Sequence, residues 1–156
     1  MYYGARAAKL SRILGCTVEE AEKYIESFWS GNLGVKLIIE YLEKFYKKHK
    51  YIVGLDGRKL EVRAEYKLLN TLIQSSAAVI FKRWSVIAVD RLEAQGLDCK
   101  QIIGYHDENQ YRCLQDHEPL AKEIISQSAI DSGIYYNLYT PISCDVKSGA
   151  NWSQTH

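Results

Sequence analysis

The chain has 156 residues, of which 47% are hydrophobic, so it can form one domain with a real core and is not expected to be disordered. Its 20 Lys and Arg residues against 19 Asp and Glu residues give a net charge of +1, which neither favours nor excludes a nucleic-acid partner. The four cysteines form no CxxC pair, which is typical of free thiols in a reducing cytoplasm rather than of a disulfide framework or a zinc site. The sequence contains no run of about 18 apolar residues, so no membrane span is expected. No signal peptide is expected either.

The first third of the chain is predicted to be helical. Residues 4–14 form a short helix that ends near Gly15, and the capping box of Thr17 and Glu20 starts a second helix over about 18–29. A third helix is expected over about 35–48. A buried stripe is expected on the second helix, formed by Tyr24, Ile25, Phe28 and Trp29. The third helix carries apolar residues at helical spacing: Leu37, Ile38, Tyr41, Leu42 and Phe45.

The remaining chain mixes strands with helices. The Asp56-Gly57 pair predicts a hairpin turn between two short strands within 51–63, and the longest helical pattern follows over roughly 65–95. A second hairpin is expected over 100–114, with its turn near residues 106–109. A helix over 118–133 and a strand in the tail complete an α+β fold.

Two carboxamides lie on one face of the long predicted helix. Asn70 and Gln74 are four residues apart in a stretch otherwise rich in Leu, Ile, Val and Ala. They either satisfy each other in the core or face a ligand that needs both donors and acceptors.

The second hairpin carries the sequence HDEN at its turn. Exposed carboxylates at such a tip could bind a hard cation such as Mg²⁺, which prefers oxygen ligands. The alternative is a simple polar turn, since Asp and Asn are common turn residues. These four residues alone leave both interpretations open.

Five segments taken together resemble a known family. They are YGARAAKL, GLDGRKLEVR, LLNTLIQSSAAVIFKRW, HDENQ and GANWSQTH, and their order and spacing are similar to the C-terminal end of the family A (DNA polymerase I-like) DNA polymerases, phage-type members above all. The resemblance covers nearly the whole chain. It implies that residues 1–50 form the later part of the fingers subdomain and that 51–156 form the C-terminal part of the palm.

The resemblance also implies roles for individual residues. Asp107 matches the metal-binding aspartate of motif C, with His106 and Glu108 beside it at the primer terminus. Asn70 and Gln74 match residues that contact the minor groove and the primer end, and Tyr3 matches a tyrosine beside the templating base. The implied ligands are primer–template DNA, a dNTP and Mg²⁺.

The residue types fit a duplex partner. Minor-groove acceptors are common to all base pairs, so Asn and Gln donors can sense pair shape without reading sequence. Tyr66 stands where relatives often have Arg or His, and its hydroxyl could donate to DNA. Phosphate contacts need cations, and six of them flank Asn70 and Gln74: Arg58, Lys59, Arg63, Lys67, Lys82 and Arg83.

Parts of the family pattern are missing from this sequence. Two-metal phosphoryl transfer uses a second aspartate, from a motif A of the form DxSxxExR, and the triphosphate is held by a helix preceding YG. Neither is found, so we expect the chain to act with the N-terminal part of the polymerase, present as a separate chain or a missing segment, in the cytoplasm of the host cell. The alternatives are a non-catalytic DNA-binding module and a remnant without function.

One departure within motif C concerns packing. Asn109 follows Glu108 at a position where an aliphatic residue is usual in relatives, so we expect a buried apolar contact to be lost there. A second departure, Arg6, replaces a small residue in the first segment.

Overall fold

The computed structural model describes residues 7–155, which form five helices and two antiparallel hairpins. The helices are α1 (Ala7–Leu14), α2 (Val18–Gly31), α3 (Leu33–His49), α4 (Leu68–Ala94) and α5 (Glu118–Tyr135). The strands are β1 (Ile52–Val53), β2 (Lys59–Leu60), β3 (Cys99–Tyr105) and β4 (Glu108–Cys113), and short 3-10 turns span Glu65–Lys67, Gln115–His117 and Trp152–Gln154. The predicted α+β class is confirmed.

The chain divides into two compact units, the first ending at Ser76 and the second beginning at Ala77. This division falls inside α4 and differs from the expected subdomain boundary at residue 50. The assignment of fingers and palm to 1–50 and 51–156 therefore stays a prediction.

The predicted capping box starts α2. The Thr17 hydroxyl accepts a hydrogen bond from the Glu20 backbone N–H at 3.2 Å, and the Glu20 carboxylate accepts one from the Thr17 N–H at 2.9 Å. These bonds satisfy two donors that the first turn of a helix otherwise leaves unpaired. The bonds that the Thr17 backbone N–H and hydroxyl donate to the Glu20 carboxylate lower the pKa of that carboxyl.

The core of the first unit is formed by α3, the first hairpin and the start of α4. Its buried residues are Leu42, Ile52, Val62, Leu68 and Leu69. The predicted stripe on α2 is confirmed in part: Ile25, Phe28 and Trp29 are half-buried, but Tyr24 is exposed and the fully buried residue is Ala21. Among the apolar residues at helical spacing on α3, Leu42 is buried and Phe45 is half-buried. The other three, Leu37, Ile38 and Tyr41, are exposed. Helical spacing identifies an apolar face, but burial also needs a packing partner, and these faces have little covering within the described residues.

The second unit is built around the β3–β4 hairpin. Strand β3 pairs with β4 from Cys99 opposite Cys113 to Tyr105 opposite Glu108, with an irregularity between Gln101 and Ile103. Gln101 opposes Tyr111 and Ile103 opposes Gln110, so Ile102 is the extra residue of a β-bulge.

The core of the second unit contains Ala88, Leu92, Cys99, Ala121 and Ile125. The indole N–H of Trp84 in α4 donates to the Ile125 carbonyl at 2.9 Å, which ties α4 to α5. The buried face of α5 consists of small residues, among them Ser128, Ala129, Ser132 and Gly133. At Gly133 an added Cβ would lie 3.0 Å from the Ile142 side chain, so the small residue permits the tail to pack closely on α5.

The tail strand predicted from the sequence was wrong. Between Tyr136 and Thr155 the structure contains no strand, and the 3-10 turn Trp152–Gln154 is the regular element there. Residues such as Ile142 and Val146 pack against helices and the hairpin instead of joining a sheet.

The stretch Glu65–Ala94 is long and apolar enough to cross a membrane, by length and composition alone. The core helix of a soluble protein passes the same test, so this single helix leaves the expected absence of a membrane span as a prediction. In this structure 11% of its most apolar window is buried.

Candidate functional site

The turn of the second hairpin consists of His106 and Asp107, between the paired residues Tyr105 and Glu108. His106 has a φ of 53°, and a positive φ at the first central position is a feature of the tight turns that match the twist of a hairpin. Histidine adopts this conformation more readily than most residues. Its ring lies edge-on to the Tyr105 ring at 4.1 Å between centroids, which helps to hold the turn.

This turn presents the Asp107 side chain to solvent. Among residues 7–155, no hydrogen bond or ion pair engages its carboxylate. The neighbouring Glu108 is half-buried, and its carboxylate accepts a hydrogen bond from Gln110 Nε2 at 2.5 Å. Asp107 is therefore the acid of the pair whose oxygens are available to a ligand.

The described residues could supply a share of a magnesium site. Mg²⁺ is commonly held by one or two carboxylates together with water and phosphate oxygens, and Asp107 offers one such carboxylate. Within 7–155, no group of three or more His, Cys, Asp or Glu side chains is arranged to hold a metal ion. The tip thus fits one ligand of a shared site rather than a complete cage.

A polar network lies directly behind the turn. Asn109 Oδ1 accepts a hydrogen bond from Gln101 Nε2 at 2.8 Å, and Asn109 Nδ2 donates to Ser85 Oγ in α4 at 2.9 Å. The Ser85 hydroxyl lies 3.0 Å from the Phe81 carbonyl of the preceding helical turn and donates to it. The apolar contact that Asn109 was expected to lose is thus replaced by hydrogen bonds.

The two carboxamides of α4 do not bond to each other. Asn70 is half-buried and Gln74 is exposed, and no hydrogen bond joins either side chain to another of the described residues. The interpretation in which they satisfy each other in the core is therefore not what the structure shows. Both amides are available to a ligand on one face of α4.

The cationic residues predicted to contact phosphates differ in the protein contacts that they already make. Arg58 Nε donates to the Asp56 carboxylate at 2.5 Å, and this bond lowers the pKa of Asp56. The Arg83 guanidinium stacks on the Tyr135 ring at 3.8 Å. Arg63 and Lys82 are exposed and form no ion pair within the described part of the chain.

Two other residues of the expected DNA surface, Tyr66 and Lys59, lie among the described residues. Tyr66 is exposed, with the Lys67 ammonium 5.7 Å from its ring centroid. Lys59 lies 4.8 Å from the Tyr51 ring. Tyr3 and Arg6 fall outside the described residues.

The cysteines of the second hairpin are poor candidates for nucleophilic chemistry. Cys99 and Cys113 face each other across the strands as free thiols. Burial raises the pKa of Cys99 to about 12, and a thiol that stays protonated is a weak nucleophile.

The sequence did not reveal the Ser85–Asn109–Gln101 network. The residues that form it are 24 and 8 positions apart, and they converge because of the hairpin register and the bulge. The one signal in the sequence was Asn109, a polar residue at a position where the resemblance led us to expect an aliphatic one.

The family model and the relatives that match this chain all describe DNA polymerases. Residues 1–154 match the model of DNA polymerase family A. The DNA-directed DNA polymerase of Escherichia phage Phieco32 is 29% identical over 99% of this chain, which spans 26% of that relative. The DNA-directed DNA polymerase of Escherichia phage T7 is 28% identical over 99% of this chain, which covers 25% of the length of that polymerase. DNA polymerase I of Chloroflexus aurantiacus is 26% identical over 97% of the chain.

The fold has a counterpart among solved structures. The POL domain of Pol1 from M. smegmatis, in complex with DNA primer-template and dNTP, superposes with a TM-score of 0.83 over 91% of this chain at 22% sequence identity. The chain covers 27% of that structure. It thus spans about a quarter of the length of these phage relatives and of this structural neighbour.

Proposed function

Because the chain belongs to DNA polymerase family A, we propose that it is the C-terminal piece of a template-directed DNA polymerase core. The complete core extends a DNA primer with dNTPs by two-metal phosphoryl transfer, in phage DNA replication in the host cytoplasm. The observation that carries this proposal is Asp107, an exposed carboxylate without a protein partner in the described chain, at the tip of the β3–β4 hairpin.

In this proposal Asp107 holds Mg²⁺ at the primer terminus, and Glu108 and His106 flank it. When bound there, Mg²⁺ would supply activation of the primer 3′-hydroxyl and neutralisation of the charge on the leaving pyrophosphate. An acid in a two-residue turn suits this role, because the paired strands behind it limit the movement of its carboxylate.

The same proposal gives α4 the role of a minor-groove sensor. The free amides of Asn70 and Gln74 donate to acceptors that every base pair presents, which tests pair shape without reading sequence. Exposed cations such as Arg63 and Lys82 contact phosphates, and Tyr66 adds a hydroxyl donor. Arg58 contributes less, since Asp56 already neutralises it.

A second polypeptide segment completes the site. The second metal-binding aspartate and the cations that hold the triphosphate are not among the residues assigned here, and the chain spans about a quarter of its phage relatives. The apolar residues exposed on α2 and α3 are a surface that such a segment could cover.

The test is reconstitution. The chain is mixed with a polypeptide that carries the remaining family A segments, and magnesium-dependent primer extension is measured. Asp107→Asn should abolish extension, whereas Asp145→Asn, which changes another exposed aspartate in the tail, should extend primers like wild type. Normal extension by Asp107→Asn would contradict the metal assignment.

A non-catalytic DNA-binding module is the second candidate. It is favoured by the amides of Asn70 and Gln74, which are available to a ligand on one face of α4. For such a module, Gln74→Ala weakens primer–template binding by the isolated chain and Asp107→Ala does not. No binding at low salt would exclude it, and metal-dependent extension by the mixture would favour the polymerase.

A further inference from the structure

We propose that Ser85, Gln101 and Asn109 are positioning residues that set the orientation of the turn carrying Asp107. This inference rests on the proposed polymerase function, because it assigns the network a role in placing the metal-binding carboxylate. None of the three side chains is assigned to the metal or to DNA. They act through the backbone on either side of the turn.

The bulge at Ile102 brings the side chains of Gln101 and Asn109 to the same face of the hairpin. In a regular strand, Gln101 and Gly104 would point to opposite faces, since side chains alternate. The extra residue shifts the alternation, so that Gln101 opposes Tyr111 while Gly104 opposes Asn109. Gln101 and Gly104 therefore share the face that carries Asn109.

Gly104 leaves the space that the network uses. A Cβ at this position would lie 3.1 Å from Gln101 Nε2 and 3.3 Å from Asn109 Oδ1, closer than ordinary van der Waals contact. Without that Cβ, the Gln101 side chain reaches past Gly104 to Asn109 at 2.8 Å. The bulge and the glycine together permit a side-chain bond across the strands near the tip.

Ser85 joins this pair to the long helix. Its hydroxyl donates to the Phe81 carbonyl at 3.0 Å and accepts from Asn109 Nδ2 at 2.9 Å, so one proton arrangement satisfies both bonds. The chain of bonds runs from the backbone of α4 through Ser85 and Asn109 to Gln101. It connects a 27-residue helix to both strands of the hairpin.

The location of the network explains why it would matter. Asn109 is two residues after Asp107, whereas Tyr105, His106 and Asp107 are all exposed and have little packing of their own. His106 is also held in a left-handed conformation, which most residues avoid. In the proposed site the Asp107 carboxylate must contact a metal ion close to the primer end and the triphosphate. A displacement of this carboxylate by as little as about 1 Å would therefore lower the rate of primer extension.

The first test uses the isolated 156-residue chain. Asn109→Leu removes the side-chain hydrogen bonds to Ser85 and Gln101 while keeping a similar volume. Gln95→Leu is the control, since Gln95 is exposed in the same unit and is outside the network. Amide hydrogen exchange at Tyr105 and Glu108 should be about tenfold faster in Asn109→Leu and unchanged in Gln95→Leu. Unchanged exchange at the tip in Asn109→Leu would overturn the proposal, whatever the polymerase assay shows.

The second test uses the reconstituted polymerase and separates positioning from mere stability. Asn109→Leu should lower kcat about 10- to 100-fold and raise the Mg²⁺ concentration needed for half-maximal rate, with the KM for primer–template unchanged. Ser85→Thr, which keeps the hydroxyl, should retain most of the rate, whereas Ser85→Ala should not. A kcat for Asn109→Leu within twofold of wild type would refute the positioning role. Absence of extension by the wild-type mixture would instead count against the proposed function, and exchange at the tip would still decide whether the network holds the turn.

Discussion

Tyr111→Phe should stabilise the chain, although it removes a polar group from the native protein. The Tyr111 hydroxyl oxygen is buried behind the second hairpin, and no hydrogen-bond partner for it exists among residues 7–155. A buried donor without a partner costs about 1–3 kcal/mol relative to its hydrated state. Phenylalanine keeps the ring against the core cluster that contains Leu92, Cys99 and Ile125, and it removes that cost. We therefore expect the free energy of unfolding to rise by about 1–2 kcal/mol at pH 7.

The same hydroxyl predicts a difference at alkaline pH. Burial raises the pKa of Tyr111 from 10.0 to about 12. The folded-state pKa is the higher one, so the favourable contribution is complete below pH 10 and is lost as the pH rises towards 12. Each pH unit between the two pKa values is worth about 1.4 kcal/mol, which amounts to about 3 kcal/mol in total. The Phe variant lacks this loss, so its advantage over wild type should grow between pH 10 and pH 12.

Urea unfolding followed by far-ultraviolet circular dichroism measures both effects. The midpoint should increase in Tyr111→Phe with an unchanged slope, because the surface exposed on unfolding is almost the same. Tyr139→Phe is the matched control: Tyr139 is fully exposed, so its midpoint should not move. A lower midpoint for Tyr111→Phe would refute the reasoning, because it would mean that the hydroxyl has a favourable partner such as a bound water.

Three further changes test the local structure. Gly104→Ala should destabilise the chain by about 1 kcal/mol, because the added Cβ would crowd the Gln101 side chain. Gly34→Ala lies in α3 with open space around it and should stabilise the chain by about 0.5–1 kcal/mol. Thermal unfolding of the two variants measures both changes. Thr17→Ala should cost about 1 kcal/mol through loss of the capping box, measured by urea unfolding at pH 7. The Thr17 backbone N–H and hydroxyl both lower the pKa of the Glu20 carboxyl, so the carboxylate's share of this stabilisation is present above its unfolded-state pKa of 4.5 and is lost as the pH falls. Glu20→Gln cannot titrate and should lose this acid sensitivity; equal acid sensitivity of wild type and Glu20→Gln would contradict the assignment.

Sequence alone determined most of what depends on neighbouring residues. The capping box of Thr17 and Glu20, the Asp56-Gly57 turn and the long helix after residue 65 are confirmed because their signals and their consequences lie within a few residues of each other. The ordered segments also identified the family, which the match over residues 1–154 confirms. The roles given to Asp107, Asn70 and Gln74 stay predictions, although the structure leaves all three side chains available to a ligand.

Tertiary structure decided which apolar faces are buried and how the turn is supported. Leu37 and Tyr41 have the spacing of a core stripe but are exposed, since burial depends on a partner surface that spacing does not encode. The contact between Ser85 and Asn109 depends on the register of β3 against β4 and on the bulge at Ile102, and both arise from pairing between segments distant in sequence. The sequence thus located the acid at the tip, and only the folded chain showed what holds it there.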